Sequence, residues 1–184
     1  KHELLPPMPI SPYAATKLAT EAYALAWSHS YGVPTLALRF FNVFGPLQPP
    51  VHTYAAVVPA FLTAAIQNQP LPVHGDGSQS RDFTYVNSVV SVISDAIRRK
   101  VATDTPVNVA FGSRVTLLEL IQVLEELLGR ELPLSLLPPR AGDVAISQAD
   151  SSLLRSLFPG LEPTPLKVGL QATVEWFQSA RPWE

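Results

Sequence analysis

Tyr13 and Lys17 stand four positions apart in the stretch PISPYAATKLATEAYALAW, residues 9–27 of a 184-residue chain. On a helix, residues at i and i+4 share a face, so a phenol and an ammonium at this spacing reach one site. A free tyrosine ionises near pH ~10 and is a poor base at neutrality. A neighbouring ammonium favours the phenolate, and that opens proton transfer to and from a hydroxyl. The same spacing also arises on ordinary surface helices, where the tyrosine packs and the lysine is solvated. By itself it leaves both readings open.

The element carrying the pair is well marked. Ser11 is a good N-cap and Pro12 a good first helical residue, so a helix is expected from about Pro12 to Tyr31, closed by Gly32 and Pro34. TLALRFFNVFGP then reads as a buried parallel strand running into a loop. AAVVPAFLTAAIQNQ reads as a helix, LPVHGDGSQSRDFTYV as strand, glycine-rich turn and strand, and NSVVSVISDAIRR as a helix capped by Asn87. PVNVAF is a strand. TLLELIQVLEELLG is the clearest amphipathic helix, with Thr116 and Glu119 set as a capping box. LPLSLLPP is a further strand, DSSLLRSLF a short capped helix, and PLKVGLQATVEWFQSA the last helix. Strands alternating with helices make this an α/β chain.

Composition narrows the function. A length of 184 residues suits one domain with a proper core. The 19 prolines fall between periodic segments, so they mark element boundaries rather than a disordered tract. A formal net charge of -2 with both signs dispersed argues against a nucleic-acid partner. Zero cysteines exclude disulfides and thiolate metal sites and suit a cytoplasmic protein. No apolar run is long enough to cross a membrane. His2, His29 and His52 show no metal-ligand spacing, so no metal is expected, and Trp27, Trp176 and Trp183 read as packing residues.

PISPYAATKLATEAY, followed by LALRFFNVFGP, PLPVHGDGSQSRDFTYVNSVV, RAGDVAISQAD and GLQATVEWF, resembles the extended short-chain dehydrogenase/reductase family. Within it the chain is most similar to NAD-dependent nucleotide-sugar epimerases and dehydratases of the UDP-glucose 4-epimerase type. That family binds dinucleotide at a glycine-rich turn, and no G-x-G-x-x-G or G-x-x-G-x-x-G occurs here. The resemblance therefore implies the C-terminal part of a longer enzyme. Residues 1–50 would end a doubly wound Rossmann domain. Residues 51–184 would form mostly a smaller α/β substrate-binding domain, with segments returning to the Rossmann sheet. The N-terminal dinucleotide-binding half, and a catalytic Ser or Thr upstream of the tyrosine, would lie outside this chain.

The resemblance also assigns roles. Tyr13 would be the acid-base tyrosine, and Lys17 the lysine that lowers its pKa and bonds the nicotinamide ribose. Phe41 would line the cofactor pocket, and Asn42 would contact the substrate's diphosphate or sugar. Arg81 and Arg140 would pair with the nucleotide diphosphate, to which a guanidinium fork is suited. Asp143 would hold a ribose hydroxyl, and Val73 and His74 would edge the base, where His74 departs from the more common aromatic. Asn87 departs too, standing where an aspartate is usual.

The implied activity is NAD-dependent 4-epimerisation of a UDP-sugar: oxidation at sugar C4 to a keto intermediate, then non-stereospecific return of hydride. A 4,6-dehydratase shares the first half. A non-catalytic nucleotide-sugar-binding fragment is the reading from another class, and the chain alone is expected to be inactive. The alanine-rich face of the Tyr13 helix, together with the helix from about Ala56 to Gln67, would form a homodimer interface in the full-length protein.

Overall fold

The computed structural model describes residues 1–50, 56–139 and 144–183. The Ser11 hydroxyl accepts from the Ala14 amide at 3.1 Å, and Pro12 occupies the first turn, where its missing N–H costs nothing. Helix α1 (Pro12–Tyr31) runs until Gly32 turns left-handed at φ 64. The rest of the chain is β1 (Leu38–Phe40), β2 (Val43–Phe44), α2 (Val57–Ile66), β3 (Leu71–His74), β4 (Ser80–Arg81), β5 (Thr84–Tyr85) and α3 (Val86–Arg99). There follow β6 (Val107–Val109), β7 (Val115–Thr116), α4 (Leu117–Leu128), β8 (Leu134–Leu137), β9 (Ile146–Ser147), α5 (Ser152–Leu157) and α6 (Leu166–Ala180).

The strands pair over short, mostly parallel ladders: β1 with β6, β2 with β5, and β3 with β8. Strand β4 lies between antiparallel β7 and parallel β9. Parallel partners need long crossovers, and the helices supply them.

Two apolar cores result. In the first, stripes of α2, α4 and α6 close over β3, burying Phe61, Leu62, Leu71, Leu120, Leu170 and Phe177. Leu117, Leu120, Ile121 and Leu124 recur at helical spacing along α4, and each such side chain contributes about 1.5–3 kcal/mol on burial. In the second core, α3 and α5 cover the β1–β6 pair through Val92, Ala96, Val107, Val109, Leu154 and Phe158.

Three expectations are corrected. Asn87 does not cap α3: Tyr85 keeps extended backbone as the N-cap residue, and the helix starts at Val86. The β5 ladder runs straight into the helix, so Asn87 already lies inside the first turn. Helix α2 is not free to form a dimer face, because Val58, Pro59, Phe61, Leu62, Ala64 and Ala65 are buried within the chain itself. Trp27 is 55% exposed and meets the Tyr31 ring at a tilt, whereas Trp176 and Trp183 do pack on Phe177.

The capping box forms as expected. The Thr116 hydroxyl accepts from the Glu119 amide at 3.1 Å, and the Glu119 carboxylate accepts from the Thr116 amide at 2.7 Å. The Thr116 amide and then its hydroxyl hold the Glu119 carboxyl below its ordinary value. A depressed native value means this stabilisation is complete above the unfolded value of about 4.3 and is lost as pH falls through the native one. Glu119→Gln keeps the cap but removes the titration. Its urea-unfolding midpoint is therefore expected to fall less than the parent's between pH 7 and pH ~4; an equal fall would contradict the assignment.

Candidate functional site

Asn42, from the loop after β1, meets His74, Gln79 and Arg81, from around the glycine-rich turn, on one cavity of about 240 Å³, beside Phe61 and Leu117. Asn42 follows β1 in a left-handed backbone at φ 33, a region that asparagine tolerates better than most residues. Its side-chain amide donates to the Asp82 carbonyl at 3.2 Å. His74 ends β3, and its Nδ1 lies 3.0 Å from the Pro138 carbonyl. A carbonyl only accepts, so Nδ1 carries the proton. Gln79 donates to the His74 carbonyl at 2.5 Å and so closes the glycine-rich turn. Within that turn, the Ser78 hydroxyl and then its amide hold the Asp76 carboxyl below its ordinary value.

Arg81 alternates with Ser80 on β4 and lines the cavity, while its Nη1 donates to the carbonyls of Ser80 at 2.9 Å and Val144 at 2.6 Å. A second cavity of about 740 Å³ shares His74 and Gln79 with the first and adds Arg114. The two cavities thus flank His74, one holding Arg81 and the other Arg114.

Beneath the cavity is a residue that sequence reading missed. Asp82 is completely buried. Its carboxylate accepts from the Gly112 amide at 3.1 Å, the Ser113 hydroxyl at 2.8 Å and the Ala149 amide at 3.4 Å. These donors precede β7 and follow β9, so Asp82 extends by side chain a β4 ladder only two residues long. A polar residue between Arg81 and Phe83 was the available signal, but residue type alone does not tell a buried carboxylate from a solvated one.

Tyr13 and Lys17 do not line that cavity. Both are exposed on α1, and Lys17 Nζ lies 5.4 Å from the Tyr13 ring centroid. Phe41 is half-buried between β1 and β2. Val73 is a correction: alternation along β3 sends its side chain into the first core with no exposed surface, so it cannot edge a ligand through that side chain. Arg140, Asp143 and His52 lie outside the described residues. Among the described residues no cluster of three His, Cys, Asp or Glu could hold a metal ion, and no helix is long and apolar enough to cross a membrane.

The model of the NAD dependent epimerase/dehydratase family matches residues 1–110. The chain belongs to that family. It is 33% identical over 171 residues to the uncharacterized UDP-glucose epimerase YtcB of Bacillus subtilis strain 168, covering 93% of this chain and 53% of that one. It is 29% identical to a dTDP-glucose 4,6-dehydratase of Xanthomonas campestris pv. campestris strain B100, covering 98% and 53%. The solved UDP-glucose 4-epimerase of Thermotoga maritima with UDP-glucose superposes at a TM-score of 0.88, with 33% identity, 98% of this chain and 58% of that one. The chain spans about half the length of the curated relatives it matches. Its fold corresponds to the C-terminal half of Rossmann-fold epimerases, and the family's cofactor is NAD.

Because three donors lose their acceptor at once, Asp82→Ala is expected to destabilise the fold by about 3 kcal/mol or more, read by urea unfolding. A loss under about 1 kcal/mol would show that water replaces the carboxylate.

Proposed function

We propose that this chain carries the substrate-binding part and the proton-transfer pair of an NAD-dependent UDP-sugar 4-epimerase of the UDP-glucose/UDP-galactose type. The observation that carries the proposal is the convergence of Asn42, from the loop after β1, with His74 and Arg81, from the two sides of the glycine-rich turn, on one cavity. Residues 1–50 form the end of the NAD-binding domain in this reading, and most of 51–184 the substrate-binding domain. The full protein acts in the cytoplasm as a homodimer, with the uncovered surface of α1 as the face a second copy would cover.

Tyr13, Lys17 and Phe41 are the residues here that would hold the nicotinamide end of NAD. Their chemistry fits: an open phenol and ammonium lie side by side with a half-buried aromatic further along the chain. When bound, NAD supplies the acceptor and then the donor of the hydride at sugar C4. Tyr13 Oη takes the proton of the sugar O4 hydroxyl and returns it after the keto sugar has turned over. The Lys17 ammonium over the same ring places a positive charge beside the group that exchanges this proton. Asn42 orients the sugar or diphosphate, Arg81 and Arg140 balance the diphosphate charge, His74 flanks the base, and Asp143 accepts from the ribose.

A 4,6-dehydratase is the second reading, favoured by the relative of that name. Mass spectrometry of the product separates the two, since epimerisation conserves mass and dehydration loses one water.

In the intact protein, Tyr13→Phe is expected to slow UDP-glucose/UDP-galactose interconversion at least about 10²-fold with UDP-sugar affinity unchanged. Arg81→Ala is expected to weaken UDP-glucose binding by about 10- to 100-fold in calorimetry. Unchanged turnover in the first variant would remove Tyr13 from the mechanism. Unchanged affinity in the second would move the diphosphate elsewhere.

A further inference from the structure

Helix α1 carries Tyr13 and Lys17, yet none of its residues is buried, so apolar packing within this chain does not fix it. Its firmest attachment is polar. From β1, Arg39 donates through Nε to Glu21 Oε2 and through Nη2 to Glu21 Oε1, each at 2.7 Å. Nη1 donates to the Glu3 carbonyl at 3.1 Å. Both side chains are largely covered, and the fork-to-carboxylate geometry is the strong form of this pair. Hydrogen bonding to Glu21 holds the Arg39 guanidinium above its ordinary value despite burial.

Glu21 is one turn beyond Lys17, at i+4, the spacing at which opposite charges on a helix attract. Both of its carboxylate oxygens are engaged by Arg39. The Lys17 ammonium instead lies over the Tyr13 ring, and among the described residues it makes no ion pair. A free Glu21 would compete for that ammonium and place a negative charge beside the group that has to stabilise a phenolate.

We propose that Arg39 is a positioning residue that masks Glu21, keeping the Lys17 ammonium on Tyr13 although Arg39 itself touches neither. This rests on the roles assigned above to Tyr13 and Lys17. A purely mechanical tie between α1 and β1 is the competing account. The two differ in one respect: a mask becomes unnecessary once Glu21 has no charge, whereas a tie is broken by losing either partner.

The test compares Arg39→Gln, Glu21→Gln and the double variant in the intact protein. Masking predicts that Arg39→Gln lowers kcat about tenfold with KM for UDP-glucose unchanged. It predicts Glu21→Gln and the double variant within about threefold of the parent. If Glu21→Gln or the double variant is as slow as Arg39→Gln, the mask is wrong and the pair is a tie. In selectively labelled protein, the nuclear Overhauser contact between the Lys17 side chain and the Tyr13 ring should weaken in Arg39→Gln and return in the double variant. A contact unchanged in Arg39→Gln overturns the proposal. Should Arg39→Gln not fold, Glu21→Gln decides alone: masking keeps the Lys17–Tyr13 contact and a tie loses it. A parent protein without turnover on UDP-sugars would sink the functional reading, while the nuclear Overhauser comparison would still judge the mask.

Discussion

A carboxylate without exposed surface, Asp82, ties strand β4, which brings Arg81 to the cavity, to the segments beside β7 and β9. Strand β4 pairs with its neighbours over two residues on each side, too few backbone bonds to set a sheet by themselves. Asp82 adds acceptors where the ladder stops, taking donors from Gly112 and Ser113 ahead of β7 and from Ala149 after β9. Its own carbonyl receives the Asn42 side chain, and the residue before it is Arg81. One buried residue thereby bears on two of the polar groups on the cavity wall, Asn42 and Arg81. A charged group in that position is tolerated because each of its oxygens is hydrogen-bonded.

The rest of the fold divides into what packs and what does not. The α2–α4–α6 core holds β3 and hence His74, while the α3–α5 core holds β1 and β6. Helix α1 belongs to neither. Tyr23, Trp27 and Tyr31 are exposed along it, and among the described residues Glu21 pairs with Arg39 of β1. The protein accordingly combines a cavity built on apolar cores and the Asp82 hydrogen bonds with a Tyr–Lys pair on a helix none of whose residues is buried. Salt and substitution should act on these two parts differently, since ion pairs at partly covered sites are screened and apolar packing is not.

Much of this was legible in residue order. The Ser11–Pro12 start and Gly32 stop of α1, the Thr116–Glu119 box and the strand–turn–strand of LPVHGDGSQSRDF all follow from local chemistry: caps, proline φ and glycine turns act within a few residues. Asn87 shows the limit of that reasoning. Its type suited a cap, but the β5 ladder put the cap at Tyr85, two residues earlier. Val73 shows another, because a strand's alternation tells which residues share a face and not which face meets the core.

By itself, the sequence determined the α/β class, the helix carrying Tyr13 and Lys17 at one face, and the motifs that resemble an NAD-dependent epimerase/dehydratase. Only the tertiary structure decided that Asn42, His74 and Arg81 share a wall, that Val73 and α2 face inward, that Asp82 bridges β4 to its neighbours, and that Arg39 pairs with Glu21. The reason is range. Local rules act over one turn of helix or two residues of strand, whereas Glu21 and Arg39 are 18 residues apart, and Asp82 and Ala149 are 67 apart, and they meet only once the parallel strands have paired.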